Sequence, residues 1–155
     1  MSGNECTGGT SLRAFEPHDA EVVEKILSQS PEAAAWSLNS LAQLNRRGEL
    51  GWVVECSGVV AGFIVVRAVV AEAEILNLCV DPAKRCRGNA TALLQKALEE
   101  LAKLRVHRLF LEVRESNRAA ISFYEKHGFA ETGLRAKYYR DPDEAAVLMM
   151  RELTG

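Results

Sequence analysis

Residues able to do chemistry gather in the second half of the chain. Glu112 stands inside the apolar run Leu109-Phe110-Leu111-Glu112-Val113. A strand of that kind is buried on both faces when it lies in a parallel sheet, and a carboxylate there is unexpected. Burial without a partner disfavours the ionised form and raises the pKa, which suits a general base working near neutral pH. The competing reading is a structural ion pair with Arg108, Arg114 or Arg118. Tyr124 follows Asn117 by seven residues. That is two helical turns, so it projects from the same face near the helix C-terminus. Taken alone, Tyr124 reads as a core tyrosine with its hydroxyl at the surface.

A second group lies upstream, in the loop Arg85-Cys86-Arg87-Gly88-Asn89-Ala90 between a strand and a helix. A helix start leaves free amide hydrogens and the positive end of the dipole. The small residues let a ligand approach the backbone, so the loop suits a phosphate or pyrophosphate, to which Arg85 and Arg87 add favourable charge. An ordinary turn with solvated arginines fits the loop equally well. The spacing is neither GxxxxGK[ST] nor GxGxxG. Cys79 has no activating histidine nearby in sequence, so a buried inert thiol is the expectation. Cys6, Cys56, Cys79 and Cys86 form no CxxC, and His18, His107 and His127 are scattered, so no metal site is expected.

The elements that must hold these groups follow from periodicity. Leu12 to Phe15 reads as a first strand, and Ala20, Val23 and Leu27 as one face of a helix. Ser30-Pro31-Glu32 starts another helix with a capping serine, a proline in the first turn and an acid at the dipole. Trp36 lies in that helix. A core or edge contact is its favoured role, with substrate contact as the alternative. Leu50–Cys56 and Val59–Val70 read as strands joined by the two-residue loop Ser57-Gly58. Gly62 marks a bulge or a close backbone approach. Ile75–Val80 is a strand ended by Asp81-Pro82, with Glu72 and Glu74 flanking its start. Those two acids are either solvated charges or the lining of a site for a cation.

From Gly88 a helix follows, its buried face Ala90, Leu94, Ala97, Leu98 and Leu101. Leu109–Val113 is the next strand, and the order strand, helix, strand implies a right-handed parallel crossover. Ser116 or Asn117 caps a helix that runs to about His127 and stops at Gly128. Two last strands, Phe129–Tyr139 and Ala145–Leu153, flank a turn at Arg140-Asp141-Pro142-Asp143. The expectation is a mixed α/β sheet with helices on both faces.

Size and charge bound the rest. At 155 residues, one domain over 10–155 is expected, preceded by a loose polar segment, residues 1–9. The net charge of −2 gives no reason to expect nucleic-acid binding. The longest apolar run, Val59 to Ala71, contains Arg67 and is too short to span a bilayer. The N-terminus lacks an apolar core of signal-peptide length. The cysteine pattern fits a reduced, cytoplasmic protein, and a monomer or weak dimer is expected.

The loop, read as Arg85-x-x-Gly88-x-Ala90, resembles the acetyl-CoA loop of the GNAT superfamily, Arg/Gln-x-x-Gly-x-Gly/Ala. Together with LEVRESNRAAISFYEKHGF and KYYRDPDEAAVLMM, it resembles the RimI-type branch, the ribosomal-protein-alanine N-acetyltransferases. The resemblance covers about residues 75 to 150. It implies the GNAT fold, a mixed and mostly antiparallel sheet flanked by helices, and acetyl-CoA as co-substrate. It implies Glu112 as general base and Tyr124 as general acid. Leu78, Cys79 and Val80 would hold the acetyl and pantetheine part through backbone groups. Arg85, Arg87, Gly88, Asn89 and Ala90 would hold the pyrophosphate, and Asn117 would touch the cofactor. Tyr138 and Tyr139 match a tyrosine pair near the peptide groove, and Trp36, by its alternative reading, joins them as a candidate substrate contact. The loop departs from its common form at Cys86, Asn89 and Ala90.

The implied acceptor is the N-terminal alanine of a small-subunit ribosomal protein. Acidity supports that choice: an α-amine has a pKa of about 8 and a lysine side chain about 10.4. The neutral nucleophile is therefore easier to obtain from the α-amine. Glu72, Glu74, Asp141, Asp143 and Glu144 motivate an alternative, acetylation of a small-molecule amine. A lysine side chain is a further acceptor to consider. A non-catalytic acyl-CoA sensor would need the loop but neither Glu112 nor Tyr124.

Overall fold

The fold comes from a computed structural model that describes residues 10–30, 41, 43, 48–84, 88–139 and 143–153, with 137–139 described by backbone alone. Seven strands form one sheet: β1 (Thr10–Ala14), β2 (Glu49–Cys56), β3 (Val59–Val69), β4 (Glu72–Val80), β5 (Arg108–Arg114), β6 (Ala130–Tyr139) and β7 (Glu144–Glu152). Their order is β1-β2-β3-β4-β5-β7-β6. Only β4 and β5 run parallel, joined through helix α2 (Asn89–Lys103); every other neighbouring pair is antiparallel. Helix α1 (Ala20–Ser28) precedes β2, and α3 (Arg118–Lys126) follows β5. The mixed, mostly antiparallel sheet expected from the sequence is observed.

Strand alternation divides the core in two. Trp52, Val54, Ile64 and Val66 turn to the face covered by Leu93, Leu94, Ala97 and Leu101 of α2 and by Ile121 and Tyr124 of α3. Val53, Phe63, Val65 and Cys79 turn to the other face, against Val23, Ile26 and Leu27 of α1. Helices therefore cover both faces. Each large apolar side chain so buried contributes roughly 1.5–3 kcal/mol. Of the helix face read from the sequence, Leu94, Ala97 and Leu101 are buried and Ala90 and Leu98 half-buried, and Asn89 and Leu93 are buried as well.

The β2–β3 hairpin turns on Ser57 (φ 51°) and Gly58 (φ 80°), both left-handed, as a two-residue hairpin loop requires. The register slips between Val54 and Glu55, leaving Ala61 as an extra residue next to Gly62. A Cβ on Gly62 would lie 2.8 Å from the Cys79 carbonyl oxygen. Gly62 thus marks both a bulge and a close approach.

Some boundaries differ from the sequence reading. β4 begins at Glu72 rather than Ile75, so Glu72 is its first residue and Glu74 lies within it. The alternation of exposed and buried residues from Glu72 onward is already strand-like. β5 is not buried on both faces: Leu109, Leu111 and Val113 are buried, and Phe110, Glu112 and Arg114 are half-buried. The helix expected from Ser30-Pro31-Glu32, which contains Trp36, lies outside the described residues, as do segment 1–9 and turn residues 140–142.

Candidate active site

The sheet opens where β4 and β5 part. They register at three pairs, Glu72 with Arg108, Ala73 with Leu109 and Glu74 with Phe110. Beyond these, β4 continues to Val80 and β5 to Arg114 without further register between them. Parallel strands that start together and then part make a V in the sheet. Asp81 marks how the backbone is turned there, since its amide donates to the Ala61 oxygen at 2.7 Å. Register continues through Gly62–Val80, Phe63–Cys79 and Ile64–Leu78. Alternate residues of an antiparallel pair face the partner strand. Cys79 therefore turns its backbone groups to β3, and Leu78 and Val80 turn theirs to the β5 side. The Cys79 side chain is buried, packs toward α1 and forms no disulfide.

The loop after β4 is built to lead into a helix start. Pro82–Lys84 makes one tight helical turn, and the Asp81 side chain accepts from the Ala83 amide at 3.0 Å. Asn89 is 3% exposed. Its side chain donates to the Lys84 carbonyl at 3.1 Å and accepts from the Cys56 thiol at 3.8 Å. That side chain clamps the two ends of the loop, so only the Asn89 backbone remains for a ligand. Gly88 caps α2 with φ 76°, and a Cβ built there meets nothing within 4 Å. The approach to the amides of the first turn is open, and the helix dipole is positive there. Gly88, Asn89 and Ala90 thus fit a pyrophosphate. Arg85, Cys86 and Arg87 lie outside the described residues.

Glu112 faces a cleft of about 500 Å³, lined also by Arg67, Glu72, Glu74, Thr132 and Arg135. Glu112 is 19% exposed and its Oε1 lies 3.2 Å from the guanidinium of Arg135, which is 53% exposed. The carboxylate therefore has a partner, but not one of those read from the sequence. Arg108 lies 3.7 Å from Glu72, and Arg114 lies 3.2 Å from Glu144. Arg135 sits two strands away from Glu112 in the sheet order, and nothing in linear spacing points to it. Burial pushes the Glu74 carboxyl above the usual range, the charge of Glu112 adds to this, and Arg67 and Arg135 oppose it.

Tyr124 is 7% exposed, with edge-on ring contacts to Phe123 and Phe129, each at 5.3 Å. Asn117 is the N-cap of α3, accepting from the Ala120 amide at 3.2 Å. Of the two caps considered, the structure uses Asn117. Glu144 holds the loop before α3 by accepting from the Ser116 amide and from Arg114. These bonds, the Ser116 contact foremost, hold its carboxyl below the ordinary range. Glu144 is thus committed to structure rather than open to a cationic ligand. The side chains of Tyr138 and Tyr139 lie outside the described ones; the Tyr139 backbone pairs with Glu144. Among the described residues no group of His, Cys, Asp and Glu could hold a metal ion. No helix among them is long and apolar enough to cross a membrane.

Residues 14–129 match the model of the acetyltransferase (GNAT) family. The [ribosomal protein bS18]-alanine N-acetyltransferase of Escherichia coli K12 is 37% identical over 125 residues, which are 79% of this chain and 84% of that protein. The crystal structure of the ribosomal-protein-S18-alanine N-acetyltransferase from Escherichia coli has a TM-score of 0.84 at 32% identity, covering 95% of this chain and 96% of that one. Ard1 from Thermoplasma volcanium has a TM-score of 0.85 at 31% identity, covering 94% and 99%.

Proposed function

The chain belongs to the acetyltransferase (GNAT) family and is an N-acetyltransferase, and from that premise we propose that its acceptor is the N-terminal α-amine of a protein. The relatives named for ribosomal protein bS18 alanine make that N-terminus the first candidate. The observation that carries the chemistry is the half-buried carboxylate of Glu112 in a cleft lined by the paired ends of β4 and β5, from which the two strands part.

Acetyl-CoA supplies a thioester, an acyl carbon open to attack by an amine. The backbone groups of Leu78 and Val80, turned to the β5 side, hold the acetyl and pantetheine part. An amide donor there stabilises negative charge developing on the acetyl oxygen. Cys79 contributes spacing along the strand rather than its thiol. Gly88, Asn89 and Ala90 receive the pyrophosphate through the first-turn amides of α2, with Arg85 and Arg87 adding charge. Asn117 fixes the start of α3 and so the position of Tyr124.

Glu112 takes the proton of the acceptor amine, directly or through a water, and the Tyr124 hydroxyl protonates the leaving thiolate. A tyrosine near pKa 10 can give a proton to a thiolate whose acid is near 8.5 once the two are held together. Tyr138 and Tyr139, by their match to the RimI-type tyrosine pair, are the candidates for contact with the peptide, with Trp36 as a further candidate. Glu72 and Glu74 in the cleft motivate a second reading, a small cationic amine as acceptor.

The test is thiol release from acetyl-CoA with a panel of acceptors, followed by mass spectrometry to locate the acetyl group. The panel holds peptides starting with alanine, serine or methionine, an N-blocked lysine peptide, and spermidine. Preference for the free alanine terminus is expected. Turnover of spermidine or the lysine peptide alone overturns the acceptor assignment and leaves the family intact.

A further inference from the structure

The acceptor cleft already contains cations. Arg135 belongs to β6, and β7 lies between β6 and β5. Glu112 registers with Leu148 of β7, and Arg135 with Ala146. The two backbones therefore lie about two strand spacings apart, roughly 9–10 Å across the strands, with a further two-residue offset along them. The Arg135 side chain and that of Glu112 span the gap together. The Arg135 guanidinium ends 3.2 Å from Glu112 Oε1. The guanidinium is 53% exposed and the carboxylate 19%. The cation is thus the water-facing, movable member of the pair, and the base is the fixed one. Arg67 and Glu74 oppose each other across β3 and β4 and line the same cleft. A displaced guanidinium has open solvent on one side, while an incoming cation finds a second carboxylate beside the first.

We propose that Arg135 is an exchangeable counter-ion, occupying the cation position on Glu112 until the acceptor's ammonium displaces it. The inference rests on Glu112 being the base. After the exchange, an N–H bond of the ammonium breaks, its electron pair stays on nitrogen, and an O–H bond forms on Glu112. The neutral amine can then attack. As the C–S bond breaks and Tyr124 protonates the thiolate, the second nitrogen proton passes to the Tyr124 oxygen, so the tyrosine is restored and the amide product carries no charge. Once Glu112 has passed its proton to solvent, Arg135 returns to it. Arg135 thereby discriminates a cationic acceptor from its acetylated product, and acts as a specificity residue.

The test is the acceptor KM of Arg135→Met and Arg135→Lys, read on whichever amine the wild-type enzyme acetylates. Arg135→Met keeps the stem and removes the competing cation. Its KM should fall about three- to fivefold, which corresponds to the ~1 kcal/mol upper range of an exposed ion pair. Arg135→Lys keeps a cation and should stay within about twofold of wild type. Calorimetric affinity for the N-acetylated product peptide should be the same for wild type and Arg135→Met. In a Glu112→Gln background, adding Arg135→Met should leave affinity for the amine nearly unchanged.

An unchanged or higher KM in Arg135→Met overturns the exchange. So does equal tightening toward the acetylated peptide, or tightening that persists with Glu112→Gln. Failure of the wider acceptor assignment looks different. Wild type then acetylates no peptide α-amine, and the KM series is read on spermidine or the lysine peptide.

Discussion

Gly62→Ala puts one methyl group where the structure leaves no room. Its Cβ would stand 2.8 Å from the Cys79 carbonyl oxygen and 3.1 Å from Val80 Cα. Both neighbours are backbone, so no side chain can swing away. Restoring contact near 3.4 Å requires the end of β4 to shift by roughly half an ångström relative to β3. Overpacking of this kind costs about 1–3 kcal/mol. For a domain of this size each kcal/mol is worth roughly 2–4 °C, so Tm should fall by about 2–12 °C.

The shift falls on Cys79 and Val80, at the open end of the V, and not on the Glu74–Phe110 end where the strands remain paired. KM for acetyl-CoA should therefore rise several-fold while KM for the acceptor changes much less. Gly133→Ala is the control, because its Cβ meets only Leu148 Cδ1 at 3.6 Å, an ordinary contact. Thermal unfolding and two-substrate kinetics on both variants decide the matter. A Gly62→Ala protein that matches Gly133→Ala in Tm and in KM for acetyl-CoA refutes the close approach and its link to cofactor binding.

Two further perturbations follow. Tyr124→Phe keeps the ring contacts to Phe123 and Phe129, so Tm should move little while kcat falls at least about tenfold, part of the 10²–10⁴ ascribed to positioned proton transfer. Steady-state rates at saturating substrates check this, and a wild-type kcat removes Tyr124 from the chemistry. Asp19→Asn loses a 2%-exposed carboxylate that accepts from Arg13 at 2.8 Å through both oxygens and from the Glu16 amide at 2.8 Å. Hydrogen bonds to charged groups are worth about 1.5–3 kcal/mol, and the loss should appear as a lower Tm near pH 7. Burial alone would raise the Asp19 carboxyl, but Arg13 and the Glu16 amide outweigh it and hold it below its usual value. A depressed folded pKa stabilises above the unfolded value of 3.8 and loses that contribution as pH falls through the folded one. The Tm gap between wild type and Asp19→Asn should therefore narrow below about pH 4, and a gap independent of pH refutes the assignment.

Much of this was legible in sequence because local chemistry and global fold agree. The Ser57-Gly58 loop, the α2 face and the Gly128 stop are set by nearest neighbours, and each falls where its residues direct. Gly62 was readable as an exception, since glycine inside a strand invites close backbone approach. The start of β4 was not. Glu72 and Glu74 look like charges flanking a strand until pairing makes them part of it, Glu72 with Val69 and Arg108 and Glu74 with Arg67 and Phe110. The partner of Glu112 was also hidden. The sequence offered Arg108, Arg114 and Arg118, the nearest cations along the chain. Strand order sets the contact instead, and it brings Arg135 across β7. Sequence spacing cannot report a neighbour two strands away.

The most direct test of the proton-transfer assignment is a paired measurement on Glu112→Gln: single-turnover acetyl transfer, with calorimetric affinity for acetyl-CoA on the same preparation. The account predicts affinity within about twofold of wild type and a transfer rate lower by about 10²–10⁴, the range for loss of a positioned base. A wild-type transfer rate in that variant contradicts it.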